Sequence, residues 1–220
     1  MNERTHKLFV LFGLTVLATF LCSILCYSER FVFFKYALSD LGGIYTVNGN
    51  KNIPSFSIFI SGMFLCAVFM ALICRRFIQG RDGGEKNRHV KTALSGLASA
   101  GFIIIMSPND TMHAVHIAGG ALMFFSLWML TNVFLIDAAR RKDRMTVVIG
   151  HLFLQSTVVT YALLYFINSP FRQTAQKAAV FGLILVLGFV TKRLSLPLQS
   201  IHIHTTGKRT STHPEYRNLR

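Results

Sequence analysis

Six long apolar runs, separated by polar and basic segments, dominate the hydrophobic pattern of the chain. They cover residues 8–27, 56–74, 92–106, 112–136, 145–167 and 175–190. A helix needs about 20 mostly apolar residues to cross the hydrocarbon core of a bilayer, and every backbone polar group in lipid must be paired within the protein. The pattern therefore predicts an all-α integral membrane protein, with a bundle of six transmembrane helices over residues 1–190.

The first apolar run begins like a secretory signal peptide, because Arg4 and Lys7 precede it. Its apolar core of about 19 residues is long for a signal peptide, and no cleavage pattern of small residues follows Cys26. We therefore expect it to be retained as a helix. The 28-residue connection that follows is long, and its aromatic residues predict a short interfacial helix near Phe33 to Leu38, ended by Gly42-Gly43.

Basic residues are concentrated in alternate connections. The segments 1–7, 75–91, 138–144 and 191–220 hold 18 of the 23 Lys and Arg residues. The positive-inside rule then predicts that both termini are cytoplasmic, in a plasma or inner membrane. This topology accounts for the net charge of +14 without a nucleic-acid partner. Residues 191–220 are expected to form a flexible cytoplasmic tail whose positive charges lie against anionic lipid headgroups, each contributing about 1 kcal/mol.

Ionisable groups at membrane depth are costly, and the outer side of the predicted bundle holds a concentrated set of them. Ser39 and Asp40 lie in the long first connection, whereas Asp110, His113 and His116 follow one another at spacings of three at the start of the fourth helix. Such spacings place side chains on one helix face. If the first connection folds back over the bundle, Asp40 can reach His116 and fix the tautomer of its ring.

Several interpretations of this set stay open. In the structural one, Asp110 caps the fourth helix and His116 pins the connection through Asp40. In the second, Asp40, His113 and His116 bind a metal ion, although no cofactor is predicted. In the third, Asp40 and His116, with Ser39 as a further candidate, carry out acid–base chemistry on a lipid headgroup. The last is ligand binding or transport by Asp40, Asp110, His113 and His116.

Other polar and small residues indicate how the helices pack. The fifth helix carries His151, Gln155, Ser156, Thr157 and Thr160, which predict interhelical hydrogen bonds or a polar track for an ion. Small residues in the third and fourth helices, Ser95, Gly96, Ser99, Gly101, Ala114, Ala118, Gly119 and Gly120, predict a close contact between these two helices. The four cysteines lie in helices and are interpreted as packing residues.

Two motifs on the predicted outer side carry a family resemblance. Tyr36-Ala37-Leu38-Ser39-Asp40-Leu41-Gly42 resembles the Ile-Ser-Asp-x-Gly segment of the DRAM/FRAG/Sfk-type six-helix membrane proteins. Val115-His116-Ile117-Ala118-Gly119-Gly120-Ala121-Leu122 resembles their His-x-x-Gly-Ala stretch. With Pro-Asn-Asp before the histidine, the two motifs also resemble the prokaryotic family called domain of unknown function 998.

The resemblance implies a six-helix bundle with a role near membrane lipids, since eukaryotic relatives are tied to lipid-anchor remodelling, phosphoinositide regulation and autophagy. The positions that carry over are Ser39, Asp40, Gly42, His116, Gly119 and Gly120. The chain departs from the eukaryotic branch at the start of its sixth helix, where Lys177 is the only charged residue between Gln173 and Val180.

The sequence thus favours a non-enzymatic protein that binds or organises membrane lipid, or binds a membrane partner, through a pocket on the outer side. A membrane-embedded hydrolase or transferase that acts on a lipid headgroup is the first alternative. A small transporter is the second.

Overall fold

The computed structural model describes residues 1–80 and 87–197, which fold into six α-helices and one short 3-10 helix. The α-helices are α1 (Glu3–Leu25), α2 (Ile53–Ile78), α3 (Arg88–Ile104), α4 (His113–Arg140), α5 (Arg144–Phe166) and α6 (Arg172–Ser195). The 3-10 helix is Leu38–Gly42, and the described part of the chain contains an isolated β-bridge between Tyr45 and Lys51 but no strand. The predicted all-α class is therefore confirmed.

Five of the six helices, α1, α2, α4, α5 and α6, are long and apolar enough to cross a membrane. The third helix is shorter, at 17 residues, and it begins with the polar residues Arg88, His89 and Lys91. The sixth span at 92–106 therefore stays a prediction.

The helices extend beyond the predicted apolar runs at their basic ends. The first helix begins at Glu3 rather than at residue 8, and the side chain of Asn2 caps it by accepting a hydrogen bond from Arg4 N. The last helix continues to Ser195 and so includes the first residues of the predicted tail, 191–220. Long basic side chains can extend from a helix end toward water, so a helix need not stop where its apolar run stops. The rest of the predicted tail, from residue 198, lies outside the described residues.

Consecutive helices run in opposite directions, which gathers the connections at two ends of the bundle. At one end, Arg76 Nε donates to Thr5 Oγ1 over 2.7 Å, and His6 Nδ1 lies 3.1 Å from Thr191 Oγ1. We call this the basic end; it comprises residues 1–7, 75–80, 87–91, 137–146 and 191–195. The opposite end, called the cap end, comprises residues 26–55, 105–116 and 167–177.

Five helices, α1, α2, α3, α4 and α6, pack as a closed ring, and α5 lies outside the ring against α4 and α6. Large aromatic side chains fill the centre of the ring. Phe9 packs edge-on against Phe134 and Phe12 against Phe102, each pair with ring centroids 5.5 Å apart. All four side chains are at most 2% exposed, so packed aromatic side chains fill the centre of the ring at this level.

One buried and one partly exposed ion pair join neighbouring helices at the basic end. Lys91 is fully buried, and its ammonium lies 2.6 Å from a carboxylate oxygen of Asp137 and over the ring of Phe134. Arg193 Nε donates to Asp143 across 3.1 Å. Breaking the Lys91–Asp137 pair would leave the buried ammonium of Lys91 without its counter-charge, so this pair favours the observed register of α3 on α4, and the Arg193 bond joins α6 to the start of α5.

The predicted contact of the third helix with the fourth is confirmed, and two glycines make it possible. A Cβ atom on Gly101 would lie 2.5 Å from Met123 N, and one on Gly119 would lie 2.4 Å from Ile105 N. Ser99 and Gly96 face the other way, because Ser99 Oγ donates to Ala67 O and Gly96 lies near Cys74. The small residues of α3 therefore allow close packing against two helices, α2 and α4. All four cysteines are unpaired, and Cys66 is buried in the core.

Candidate functional site

The connection from α1 to α2 folds into an ordered cap over the ring. The prediction of a short helix near Phe33 to Leu38 is wrong in position, because residues 33–36 form turns and a bend, and the helix that forms is a 3-10 helix over Leu38–Gly42. The next residues form a small hairpin closed by the Tyr45–Lys51 bridge. Asn52 is fully buried beneath it and donates to Gly43 O over 3.1 Å. The cap is therefore held by its own hydrogen bonds, and its backbone closes one end of the bundle.

The cap is fixed to α6 by two neighbouring side chains. Lys177 is 2% exposed, and its ammonium donates to Tyr36 O over 2.6 Å. Gln176 Oε1 accepts the backbone N–H of Leu38 over 2.9 Å. The ring of Phe33 lies 5.0 Å from the Lys177 ammonium. Sequence reasoning noted Lys177 only as an isolated charge, and it missed this anchoring role.

A carboxylate fixes the cap to the turn between α3 and α4. Asp110 accepts the backbone N–H groups of Ile44 and Tyr45, over 3.1 and 2.9 Å. Asn109 N donates to Gly42 O across the same junction. The expectation that Asp110 caps the fourth helix is wrong, because α4 begins after Met112 and has no side-chain cap. Two adjacent N–H donors of the cap satisfy the carboxylate instead.

Asp40 is held within the cap. One carboxylate oxygen accepts the backbone N–H of Ala37 over 2.8 Å, and the other accepts Asn109 Nδ2 over 3.4 Å. Burial raises the pKa of Asp40 above its usual range, although the Ala37 N–H and the nearby charge of Lys177 oppose that shift. Both oxygens therefore help to build the cap.

His116 lies beneath the cap and is 2% exposed. Its Nδ1 atom is 2.7 Å from Ser107 O, and its ring stacks on Phe59 with centroids 6.0 Å apart. The cap does fold back over the bundle, but the hydrogen bond expected between Asp40 and His116 is not formed. The Ser107 carbonyl takes the place of the carboxylate. The other ring nitrogen, Nε2, is buried without a hydrogen-bond partner among the described residues.

The remaining predicted site residues are not brought together. His113 is exposed, and its Nδ1 atom pairs with Asn109 Oδ1. The Ser39 hydroxyl forms no hydrogen bond to Asp40 or His116 within residues 1–80 and 87–197. In the same residues, no group of three His, Cys, Asp or Glu side chains is placed to hold a metal ion. The set Asp40, His113 and His116 thus offers no ligand geometry in this structure.

Of the polar residues in the fifth helix, Gln155 makes the predicted interhelical contact. It donates to Asn132 Oδ1 over 2.9 Å and accepts from Trp128 Nε1 over 3.2 Å, which joins α5 to α4. Ser156 and Thr157 instead donate to carbonyls of their own helix. His151 is half-buried, toward the basic end of α5.

An apolar groove of about 440 Å³ lies between α2 and the residues that follow α3. Its walls are Ile60, Ser61, Phe64 and Leu65 of α2, together with Met106 just after α3. Phe59, which stacks on His116, and Ser107, whose carbonyl bonds to His116, are the chain neighbours of Ile60 and Met106, but the groove is not lined by Phe59, Ser107 or His116. The helix α3 ends at Ile104 and leaves this part of α2 uncovered.

No protein-family model, curated protein or solved structure matches this chain. The resemblance to the DRAM/FRAG/Sfk-type proteins and to the domain of unknown function 998 family therefore stays a prediction.

Proposed function

We propose that this chain is a non-enzymatic multi-pass membrane protein that binds membrane lipid at its cap end. In this proposal all six helices cross the bilayer, with the basic end in the cytoplasm and the cap on the outer side. The concentration of Lys and Arg at one end of the bundle supports this orientation, since such residues are retained on the cytoplasmic side.

One observation carries the lipid-binding proposal. Nε2 of His116 is buried and has no hydrogen-bond partner within residues 1–80 and 87–197, although the same ring is held in a fixed position by Ser107 O and Phe59. A buried polar atom without a partner costs about 1–3 kcal/mol. A ligand group that bonds to Nε2 would recover this free energy. The groove formed by α2 and Met106 is apolar and open, which suits part of a lipid.

The catalytic alternative needs Asp40 and His116 to act together. Their side chains are not hydrogen-bonded, and both oxygens of Asp40 are engaged within the cap. The positions shared with the resembling families, Asp40, Gly42 and His116, then have binding and structural roles. This view agrees with a family role near membrane lipids without requiring a reaction.

Lipid retention tests the proposed function. The full chain is purified in a mild detergent, and the lipids that remain bound are measured by native mass spectrometry. The wild type and the control variant His113→Leu should retain lipid, because the His113 side chain is exposed and does not line the groove. His116→Leu should lose it. Equal lipid content in all three proteins would contradict the proposal.

The orientation has its own test. Single cysteines are placed at Asn48 in the cap and at Gln79 at the basic end, in a variant without the four native cysteines. A membrane-impermeant thiol reagent applied to intact cells should label position 48 and not position 79. Labelling of position 79 from outside would reverse the orientation.

A further inference from the structure

A tight turn in the cap carries two phenylalanines at its tip. The carbonyl of Val32 accepts the backbone N–H groups of Lys35 and Tyr36, each over 2.9 Å. Phe33 and Phe34 therefore form the tip of the turn, and their rings pack edge-on with centroids 5.5 Å apart. Gly, Pro, Asn, Asp and Ser dominate turns, because their backbone preferences or short polar side chains suit them. Two phenylalanines at the tip are not explained by the turn itself.

Packing within the protein does not account for these side chains either. Phe34 is 71% exposed, and its neighbours Phe33 and Val32 are 42% and 41% exposed. The aromatic side chain of this segment that does enter the core is Tyr36, which is 6% exposed. Large apolar side chains that are exposed together mark a surface that contacts a membrane or another protein.

The turn lies beside the end of a helix that is apolar enough to cross a membrane. The ring of Phe33 is 5.0 Å from the ammonium of Lys177, and the backbone N–H of Leu38 donates to Gln176 Oε1. Both α6 residues belong to the second turn of that helix. The α5–α6 connection at the same end exposes three more large apolar side chains, Phe166, Ile167 and Phe171. A bilayer crossed by α6 would therefore meet the tip at its surface.

Two cations flank the apolar tip. Arg30 and Lys35 are exposed, and neither forms an ion pair within residues 1–80 and 87–197. The adjacent carboxylate of Glu29 instead accepts hydrogen bonds from Asn48 and Asn50. An apolar tip between two cations is complementary to a bilayer surface with anionic headgroups, because apolar side chains enter the acyl boundary while Lys and Arg extend to the phosphates.

We propose that residues 30–35, called the wedge, insert into the bilayer leaflet at the cap end. Phe33 and Phe34 enter the boundary of the acyl chains, and Arg30 and Lys35 contact the phosphates of anionic phospholipids. The inference rests on the proposed function only because that function places the cap at a bilayer surface. It involves neither His116 nor the groove on α2.

Tryptophan fluorescence tests the insertion. The chain has a single tryptophan, Trp128, so Phe34→Trp is made together with Trp128→Phe and the full chain is reconstituted in phosphatidylcholine vesicles. Phosphatidylcholine brominated near the glycerol end of its acyl chains should quench the fluorescence of Phe34→Trp. Val47→Trp in the same background is the matched control, because Val47 is 58% exposed on the hairpin of the same cap.

The control should be quenched by aqueous acrylamide and not by the brominated lipid. Quenching of Phe34→Trp by acrylamide but not by brominated lipid would overturn the inference, since the tip would then face water or a soluble partner. Equal quenching by lipid at positions 34 and 47 would also overturn it, because the contact would belong to the whole cap.

The choice of brominated lipid tests the two cations. Brominated phosphatidylglycerol is mixed with unbrominated phosphatidylcholine, and the reverse pair is then used, so that the ratio of quenching gives the preference for the anionic lipid. Arg30→Gln and Lys35→Gln should each lower this preference about fivefold, which corresponds to about 1 kcal/mol per cation near a membrane surface. Lys51→Gln, at an exposed cation of the hairpin, should leave it unchanged. An unaltered preference in both wedge variants would disprove the role of the cations.

A measurement on the wild-type chain keeps the test decisive if a tryptophan variant does not fold. A phospholipid with a diazirine near the glycerol end of one acyl chain is photoactivated in the vesicles, and the crosslinked peptides are identified by mass spectrometry. Residues 32–34 should be crosslinked. Crosslinks at the exposed Phe64 of α2 without any at residues 32–34 would overturn the inference.

The outcomes also separate this inference from the function on which it rests. His116→Leu should leave the quenching of Phe34→Trp by lipid unchanged. Lipid retention that depends on His116, without quenching at position 34, would disprove the wedge alone. Quenching at position 34 in a protein that retains no lipid would support the wedge and disprove lipid binding at His116. If the wild type retains no lipid and is crosslinked nowhere, both proposals fail.

Discussion

The ammonium of Lys177 donates a hydrogen bond to the backbone carbonyl of Tyr36, a residue 141 positions earlier in the chain. A second bond joins it to Gln173 O over 3.0 Å. No acidic side chain in the described part of the chain forms an ion pair with Lys177, so backbone carbonyls and the ring of Phe33 surround its charge. The last helix of the bundle thereby holds the cap that follows the first helix.

Replacing this lysine should loosen the cap. In Lys177→Met the buried carbonyl of Tyr36 loses its donor, and the free energy of unfolding should fall by about 1–3 kcal/mol. Hydrogen exchange measured by mass spectrometry should become faster at residues 36–42. Lys51→Met is the control, because Lys51 is exposed on the hairpin. Unchanged exchange in Lys177→Met would show that the cap is held without this contact.

The absence of a hydrogen bond between Asp40 and His116 predicts independent energetic effects. Asp40→Ala and His116→Ala should each destabilise the cap, and the double variant should lose the sum of the two effects to within about 0.5 kcal/mol. Chemical denaturation in detergent gives the three values. Asp40→Ala combined with Asn109→Ala is the positive control, since these two side chains are bonded. A coupling above about 1 kcal/mol between Asp40 and His116 would indicate a direct bond.

Glycine substitutions should distinguish helix packing from helix propensity. Gly119→Ala places a methyl group against the backbone of Ile105, so α3 and α4 must separate, at a cost of about 1–3 kcal/mol. Gly188→Ala is the matched control in α6, because nothing lies within 4 Å of its Cβ position. That variant should be unchanged or more stable by up to about 1 kcal/mol. Thermal unfolding of the two proteins measures the difference.

Asp143 should make the stability of the protein depend on acidic pH. Burial raises the pKa of Asp143, but hydrogen bonds from Thr146 and Arg193 outweigh it, and the pKa lies below its ordinary value of 3.8. The folded state therefore favours the charged form. The resulting stability is present above pH 3.8 and is lost as the pH falls through the folded-state pKa.

The variant Asp143→Asn should accordingly be less stable than the wild type at about pH 7, and the difference should shrink below pH 3.8. Denaturant unfolding at several pH values measures this trend. The exposed residue Glu3 provides a control, Glu3→Gln, with a weaker dependence. A difference that stayed constant down to the acid end of the series would contradict the assigned bonds to Thr146 and Arg193.

The helices could be predicted from the sequence because apolar runs of this length have few alternatives in lipid. Their ends could not be read from the apolar runs, since α1 and α6 continue into basic residues that the apolar pattern excludes. The close contact of α3 with α4 was also foreseeable, because Gly101 and Gly119 lie in segments rich in small residues.

The hydrogen-bond partners of the polar side chains in the site could not be predicted from the sequence. Asp110 bonds to the backbone of Ile44 and Tyr45, and Lys177 to the backbone of Tyr36. A backbone N–H or carbonyl is present at every position, so nothing in the sequence marks the one that will be used. The same holds for His116, which pairs with Ser107 O rather than with the carboxylate of Asp40.

The length of α3 has a consequence for the membrane itself. Its 17 residues rise about 26 Å, whereas the 26 residues of α2 rise about 39 Å. If α2 and α3 both cross a bilayer, as proposed above, the hydrophobic mismatch is one-sided, and the leaflet on the side where α3 ends would thin along the α2–α3 flank. Such a dent would draw the glycerol level of that leaflet down toward the flank, and it would favour residence of the protein in thinner bilayers.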